Sequence, residues 1–93
     1  MFEVLIERRA ERDLNNIPKN YQIKIIDVLK QIKNFPANLK VKKLISTQNI
    51  YRVKIDDYRI IIEVNYKEKN IFVLRIRHRN EAYKNFWSNA FKD

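Results

Sequence analysis

The chain has 93 residues, room for one domain over 1–93 with one modest core, and its 45% hydrophobic content is that of a globular protein. Twenty Lys and Arg against eleven Asp and Glu give a formal net charge of +9, which points to a polyanionic partner. The sequence has no cysteine, which excludes disulfides, thiolate metal sites and a cysteine nucleophile; no glycine, which excludes a glycine-rich phosphate loop; and one histidine, His78, which excludes a histidine pair.

Charges begin at Glu3, so no signal peptide is expected, and no apolar run approaches a membrane span. With cysteine absent, the expected location is cytoplasmic. Residues 2–6 (FEVLI) read as a short strand. Over 7–16, Ala10 and Leu14 fall at helical spacing, which predicts a short helix ended by Asn15 and Asn16. Pro18 suits the first turn of a second helix. That helix has an apolar stripe of Tyr21, Ile25, Val28, Leu29 and Ile32, with Lys19, Lys24, Lys30 and Lys33 on its wet side. The segment Asn34 to Asn38 stops it, and the two helices are expected to form an antiparallel hairpin.

The stretch 39–47 reads as a basic connection carrying Lys40, Lys42 and Lys43. Three β-rich runs follow, at roughly 49–55, 58–65 and 71–77, joined by Asp56-Asp57 and by Lys67-Glu68-Lys69. Over 79–90, Tyr83, Phe86 and Trp87 at helical spacing predict a short C-terminal helix or a loose tail. Without glycine, turns that need a positive φ must use Asn or Asp. The fold class is α+β, in the order β-α-α-β-β-β, with the helical hairpin on one face of the sheet and the other face open.

Alternation assigns the faces. Tyr58, Ile60, Ile62 and Val64 share the core side with Tyr51, Val53, Ile55, Phe72, Leu74 and Ile76. The open side collects Arg52, Lys54, Arg59, Arg75 and Arg77, along with Ile61, Glu63, Ile71 and Val73. A two-residue turn at Asp56-Asp57 pairs Ile55 with Tyr58 and Lys54 with Arg59. A three-residue turn at 67–69 pairs Tyr66 with Asn70, Ile62 with Leu74, Ile60 with Ile76 and Arg59 with Arg77. Lys54, Arg59 and Arg77 then lie side by side across three strands. Like charges set directly opposite cost up to about 1 kcal/mol per pair. Either long side chains splay on a wet face, or an anion relieves the repulsion. A phosphodiester gaining charge in a transition state is the natural anion.

The segment Ile50 to Val64 (IYRVKIDDYRIIIEV) followed by Val73 to Tyr83 (VLRIRHRNEAY), with Ile17-Pro18-Lys19 and Val41-Lys42-Lys43-Leu44 upstream, resembles the RelE toxins of the RelE/ParE toxin–antitoxin superfamily. The resemblance spans residues 1–86 and implies a small antiparallel-rich sheet backed by two helices. It also implies a ribosome-dependent endoribonuclease that cuts mRNA in the A site without metal or cofactor. The ribose 2′-hydroxyl attacks the adjacent phosphate, leaving a 2′,3′-cyclic phosphate and a 5′-hydroxyl.

Carried over by position, the resemblance implies that Arg52 and Lys54 are the paired basic residues of their strand. Arginine cannot readily give up a proton, so Lys54 is the candidate for taking the 2′-hydroxyl proton. Arg59 matches the phosphate-binding arginine, Arg79 the arginine near the leaving oxygen, and Tyr83 the tyrosine that orients the nucleotide. His78 could donate to the leaving oxygen, since an imidazole titrates near neutrality. Arg75, Arg77, Lys40, Lys42 and Lys43 are candidate RNA contacts, the last three toward ribosomal RNA. Phe86 and Trp87 either stack on a base or close the core.

The expected partners are an acidic, amphipathic cognate antitoxin and mRNA on the ribosome, with no membrane. A ParE-like inhibitor of DNA gyrase and a non-catalytic RNA-binding module are the competing readings. The tail from Asn85 departs from the short basic ending common among RelE toxins.

Overall fold

The computed structural model describes residues 1–45 and 48–81. Strand β1 (Glu3–Ile6) leads into helix α1 (Arg8–Asn15) and helix α2 (Lys19–Gln31), which tightens into a 3₁₀ turn over Ile32–Asn34. Strands β2 (Val41–Ile45), β3 (Ile50–Ile55), β4 (Tyr58–Asn65) and β5 (Asn70–His78) follow. Pro18 stands just ahead of α2, where its missing N–H does no harm, and its carbonyl accepts the Tyr21 and Gln22 N–H groups at 2.9 and 3.0 Å.

The five strands lie in the order β1-β5-β4-β3-β2. The pair β1–β5 is parallel and the other three pairs are antiparallel. The helices connect the two edges and cover one face, α1 against β5 and α2 against β3. Their apolar stripes meet the sheet in one core. Ala10, Ile17, Ile25, Leu29, Ile32 and Phe35 pack there on Val53, Ile60, Ile62, Val64, Ile71, Val73 and Ile76.

The stretch 39–47 is not a simple connection. Val41 to Ile45 form an edge strand whose lysines, Lys42 and Lys43, suit an unpaired edge. The second hairpin also departs from the expected register. Asn65, not Tyr66, pairs with Asn70, and Ile62 faces Val73 rather than Leu74. A bulge between Ile61 and Ile62 reconciles this loop with the core. One extra residue of β5, Leu74, sits between the partners of Ile62 (Val73) and Ile61 (Arg75), so Ile71 and Val73 turn inward in one half and Ile76 in the other. Leu74 joins Leu44, Ile50 and Ile61 in a second apolar cluster, Phe72 pairs with Glu63, and strict alternation along β5 fails for that reason.

The turns take positive φ at Asn38 and Asp56, as a glycine-free chain requires, and also at Lys69. Residues 79–81 form a turn, and the remainder of the expected C-terminal helix, with Tyr83, Phe86 and Trp87, lies outside the described residues.

Beyond Ile6 the edge of β5 has no strand beside it among the described residues, and α1 takes over. The Asp13 carboxylate accepts the Ile76 N–H at 3.0 Å and both Arg75 nitrogens, Nε at 2.8 Å and Nη2 at 3.1 Å. Arg75, read from sequence as an open-face RNA contact, is thereby a half-buried partner of Asp13. Its fork geometry fits one carboxylate, and that carboxylate closes the edge.

Candidate functional site

The β3–β4 turn sets the row. Asp56-Asp57 is a two-residue turn that pairs Ile55 with Tyr58, and so Lys54 with Arg59. On the other side Arg59 pairs with Arg77. The row read from alternation therefore stands, because the bulge at Leu74 restores the expected register from Ile61 to this end of the strand.

The three cations are not equally engaged. Arg77 Nη2 donates to Glu81 Oε2 at 3.1 Å. Arg59 Nη1 donates to the carbonyls of Asp56 at 3.1 Å and Tyr58 at 3.0 Å, which fixes its guanidinium against the turn. Among the described residues the Lys54 ammonium has neither ion pair nor hydrogen bond. Arg52, two residues along the same face, has its Nε buried without a hydrogen-bond partner. An orphaned guanidinium nitrogen and an unpaired ammonium, flanked by further cations, form a face that an anion would satisfy.

Lys54, Arg59 and Arg79 also line a cleft of about 790 Å³ between α2 and the β3–β4 turn. Tyr21, Lys24 and Gln31 line its α2 side, and Lys40 lies on the approach to β2. Arg79 is tied to the turn by its own N–H, which donates to the Asp57 carbonyl at 2.7 Å, and by an ion pair of Nε with Asp57 Oδ1 at 3.7 Å. From α2, Lys24 Nζ reaches Asp56 Oδ2 at 3.1 Å. The Tyr21 ring rests on Tyr58 at 5.3 Å, with Lys24 Nζ 5.8 Å from its centroid.

Other expected residues are not brought here. His78 pairs with Tyr58 and packs edge-on against its ring at 5.5 Å, on the face opposite the row, with Nδ1 accepting the Asn80 N–H at 3.2 Å. Lys42 lies across from Arg52, whereas Lys43 lies across from Tyr51 with Nζ 5.7 Å from that ring centroid, so the two lysines serve opposite faces. Tyr83 lies outside the described residues. Sequence reasoning missed Lys24, Tyr21, Asp56 and Asp57 as parts of one cleft. Lys24 reads as solvated helix surface and the aspartates read only as a turn. The acidic pair at the tip of a hairpin between basic strands was the available signal.

The model of the family described as "ParE toxin of type II toxin-antitoxin system, parDE" matches residues 4–83. Toxin RelE3 of Methanocaldococcus jannaschii is 30% identical over 91% of this chain and 99% of its own length. The RelB–RelE antitoxin–toxin complex of Methanococcus jannaschii contains a chain that is 28% identical, covering 88% of this chain and 98% of that one, with a TM-score of 0.74. The archaeal RelE–RelB complex of Pyrococcus horikoshii OT3 gives 28% identity, 87% and 98% coverage, and the same TM-score of 0.74. With matching order of elements, matching length and a family model over nearly its whole span, this chain belongs to the RelE/ParE superfamily of type II toxin–antitoxin toxins.

Proposed function

We propose that this toxin is a ribosome-dependent endoribonuclease that cuts mRNA in the A site. The observation that carries the reading is the row Lys54–Arg59–Arg77, laid across three neighbouring strands, with Arg79 lining the same cleft as Lys54 and Arg59. Like charges in that arrangement disfavour the free protein and favour a bound phosphodiester.

In the reaction the 2′-hydroxyl of one nucleotide attacks the phosphorus that follows it. The O2′–P bond forms, the P–O5′ bond breaks, and the products are a 2′,3′-cyclic phosphate and a 5′-hydroxyl. Lys54 takes the 2′-hydroxyl proton. Arg59 and Arg77 hold the non-bridging oxygens as their charge grows. Arg79 stabilises the leaving 5′-oxygen, which takes its proton from water. Tyr83 orients the nucleotide. A cognate antitoxin, an acidic segment that covers this face, would hold the toxin inactive. The two solved neighbours described above are complexes of a RelE toxin with RelB.

The test is expression in a translating extract with mRNA 5′ ends mapped by primer extension. Cuts within A-site codons that vanish in Arg59→Ala and Arg79→Ala support the reading. Equal cleavage of naked RNA overturns its ribosome dependence. A second reading, inhibition of DNA gyrase, is favoured by the ParE description of the matching family model. Intact mRNA together with blocked supercoiling by purified gyrase would establish it instead.

A further inference from the structure

Lys24 belongs to α2, not to the sheet, yet it lines the same cleft as Lys54, Arg59 and Arg79. Its only described ion pair is with Asp56, and the two side chains are 59% and 50% exposed. A pair that wet contributes little to stability and exchanges readily for another anion. Asp56 is also the residue at φ 49 in the turn, and its carbonyl is held by Arg59. One turn residue thus engages a cation of the row through its carbonyl and a cation of the opposite wall through its carboxylate. Beside Lys24 the Tyr21 ring forms part of the same wall. A cation next to an aromatic face is the combination that single-stranded RNA binding uses.

We propose that the α2 wall of this cleft is a second phosphate subsite, in which Lys24 exchanges Asp56 for a phosphodiester oxygen of the same message strand whose scissile phosphate lies on the row, with the Tyr21 ring beside the adjoining nucleotide. This rests on the endoribonuclease reading above and adds α2 to the substrate surface. Asp56 acts as a resident counterion. It keeps Lys24 positioned in the free toxin and lowers the affinity for RNA by competing with it.

The test uses the full chain and ribosomes carrying a 2′-O-methylated, uncleavable codon in the A site, alongside ribosomes without message. Lys24→Gln should weaken binding to the programmed ribosomes about fivefold, the loss of one charge-assisted contact. Asp56→Asn should tighten it about threefold, the release of one exposed pair. The double variant should bind like Lys24→Gln alone. Glu68→Gln, an equal charge change in the β4–β5 loop, should leave binding unchanged. Tightening by Asp56→Asn that persists in the Lys24→Gln background would reflect only the general field and overturns the proposal. So does an unaltered dissociation constant in Lys24→Gln, or a loss of equal size on ribosomes without message, which would assign Lys24 to ribosomal RNA. Arg59→Ala separates the two levels. If it weakens binding while Lys24→Gln does not, only the subsite falls; if it has no effect, the reading of the row falls and takes the subsite with it.

Discussion

At the Asn65 end of β4 the side chains close on one another. Phe2 meets Phe35 at 6.3 Å and Tyr66 at 6.0 Å, Phe35 meets Tyr51 at 5.0 Å, and the Tyr51 and Tyr66 hydroxyls complete the circuit at 2.9 Å. At the Tyr58 end the same strand holds Arg59 between Lys54 and Arg77. The first end gains from every neighbour it has. The second places like charges opposite each other and leaves one ammonium unpaired among the described residues. One rigid strand joins them, so packing at one end can hold in place a charge arrangement that would not assemble by itself.

The sharpest way to break this comparison is to remove one member at each end. Phe35→Ala should lower stability by about 3 kcal/mol, because a buried ring leaves a cavity beside Phe2 and Tyr51. Arg59→Ala should change it by no more than about 0.5 kcal/mol while cleavage disappears. Urea denaturation with primer extension on both variants checks this. Equal destabilisation of the two would mean that the row is structural.

Next in size is Asp13→Ala. It leaves the Arg75 guanidinium half-buried without its anion and the Ile76 N–H without an acceptor, at a cost of about 2 kcal/mol. Cleavage per folded molecule should be unchanged, because Arg75 works for the edge of β5 and not for the substrate. Arg77, two residues along the strand, should behave in the opposite way. Arg77→Met keeps the length and removes the repulsion of Arg59, so stability should rise by about 0.5 kcal/mol after the exposed Glu81 pair is lost. Affinity for the programmed ribosome should fall. A variant that lost both stability and affinity would make Arg77 a structural residue like Arg75.

The contrast between Arg75 and Arg77 also marks how far the sequence could be read. Both sit on what alternation assigns to the open face, and alternation contains no term for a helix that returns to cap a strand edge. The Asp13–Arg75 contact joins residues 62 apart. The Lys54–Arg59–Arg77 row was legible because one half depends only on a two-residue turn and the period of a strand, and the other half on the register of the second hairpin. Its assignment survived an incorrect loop length at 66–69, since the bulge at Leu74 cancels the slip before it reaches Ile60. The edge strand β2 was misread because its lysines resemble a solvated loop, and lysines are also what protects an edge. Lys24 was missed because helical periodicity separates wet from buried but does not say which part of the wet side faces a neighbouring turn.

The smallest effect belongs to the aromatic end and depends on pH. Burial, then the hydrogen bond and the charge of Tyr66, push the Tyr51 phenol up to about 12 from the ordinary value of 10.0. The folded state therefore favours the neutral phenol. The resulting stabilisation is complete below pH 10 and is lost as pH rises toward about 12, because the unfolded chain releases its proton first. The wild-type profile sums every group of the chain, so it alone would not isolate the phenol. Tyr66→Phe cancels that background: it keeps the ring against Phe2 and removes only the hydroxyl partner. Urea midpoints at pH 9, 10 and 11 should show the wild type ahead of Tyr66→Phe by a margin that shrinks with pH. No margin at any of the three pH values would assign the stabilisation at this end to ring packing alone, and the hydroxyl pair would then contribute nothing to holding the row at the far end of β4.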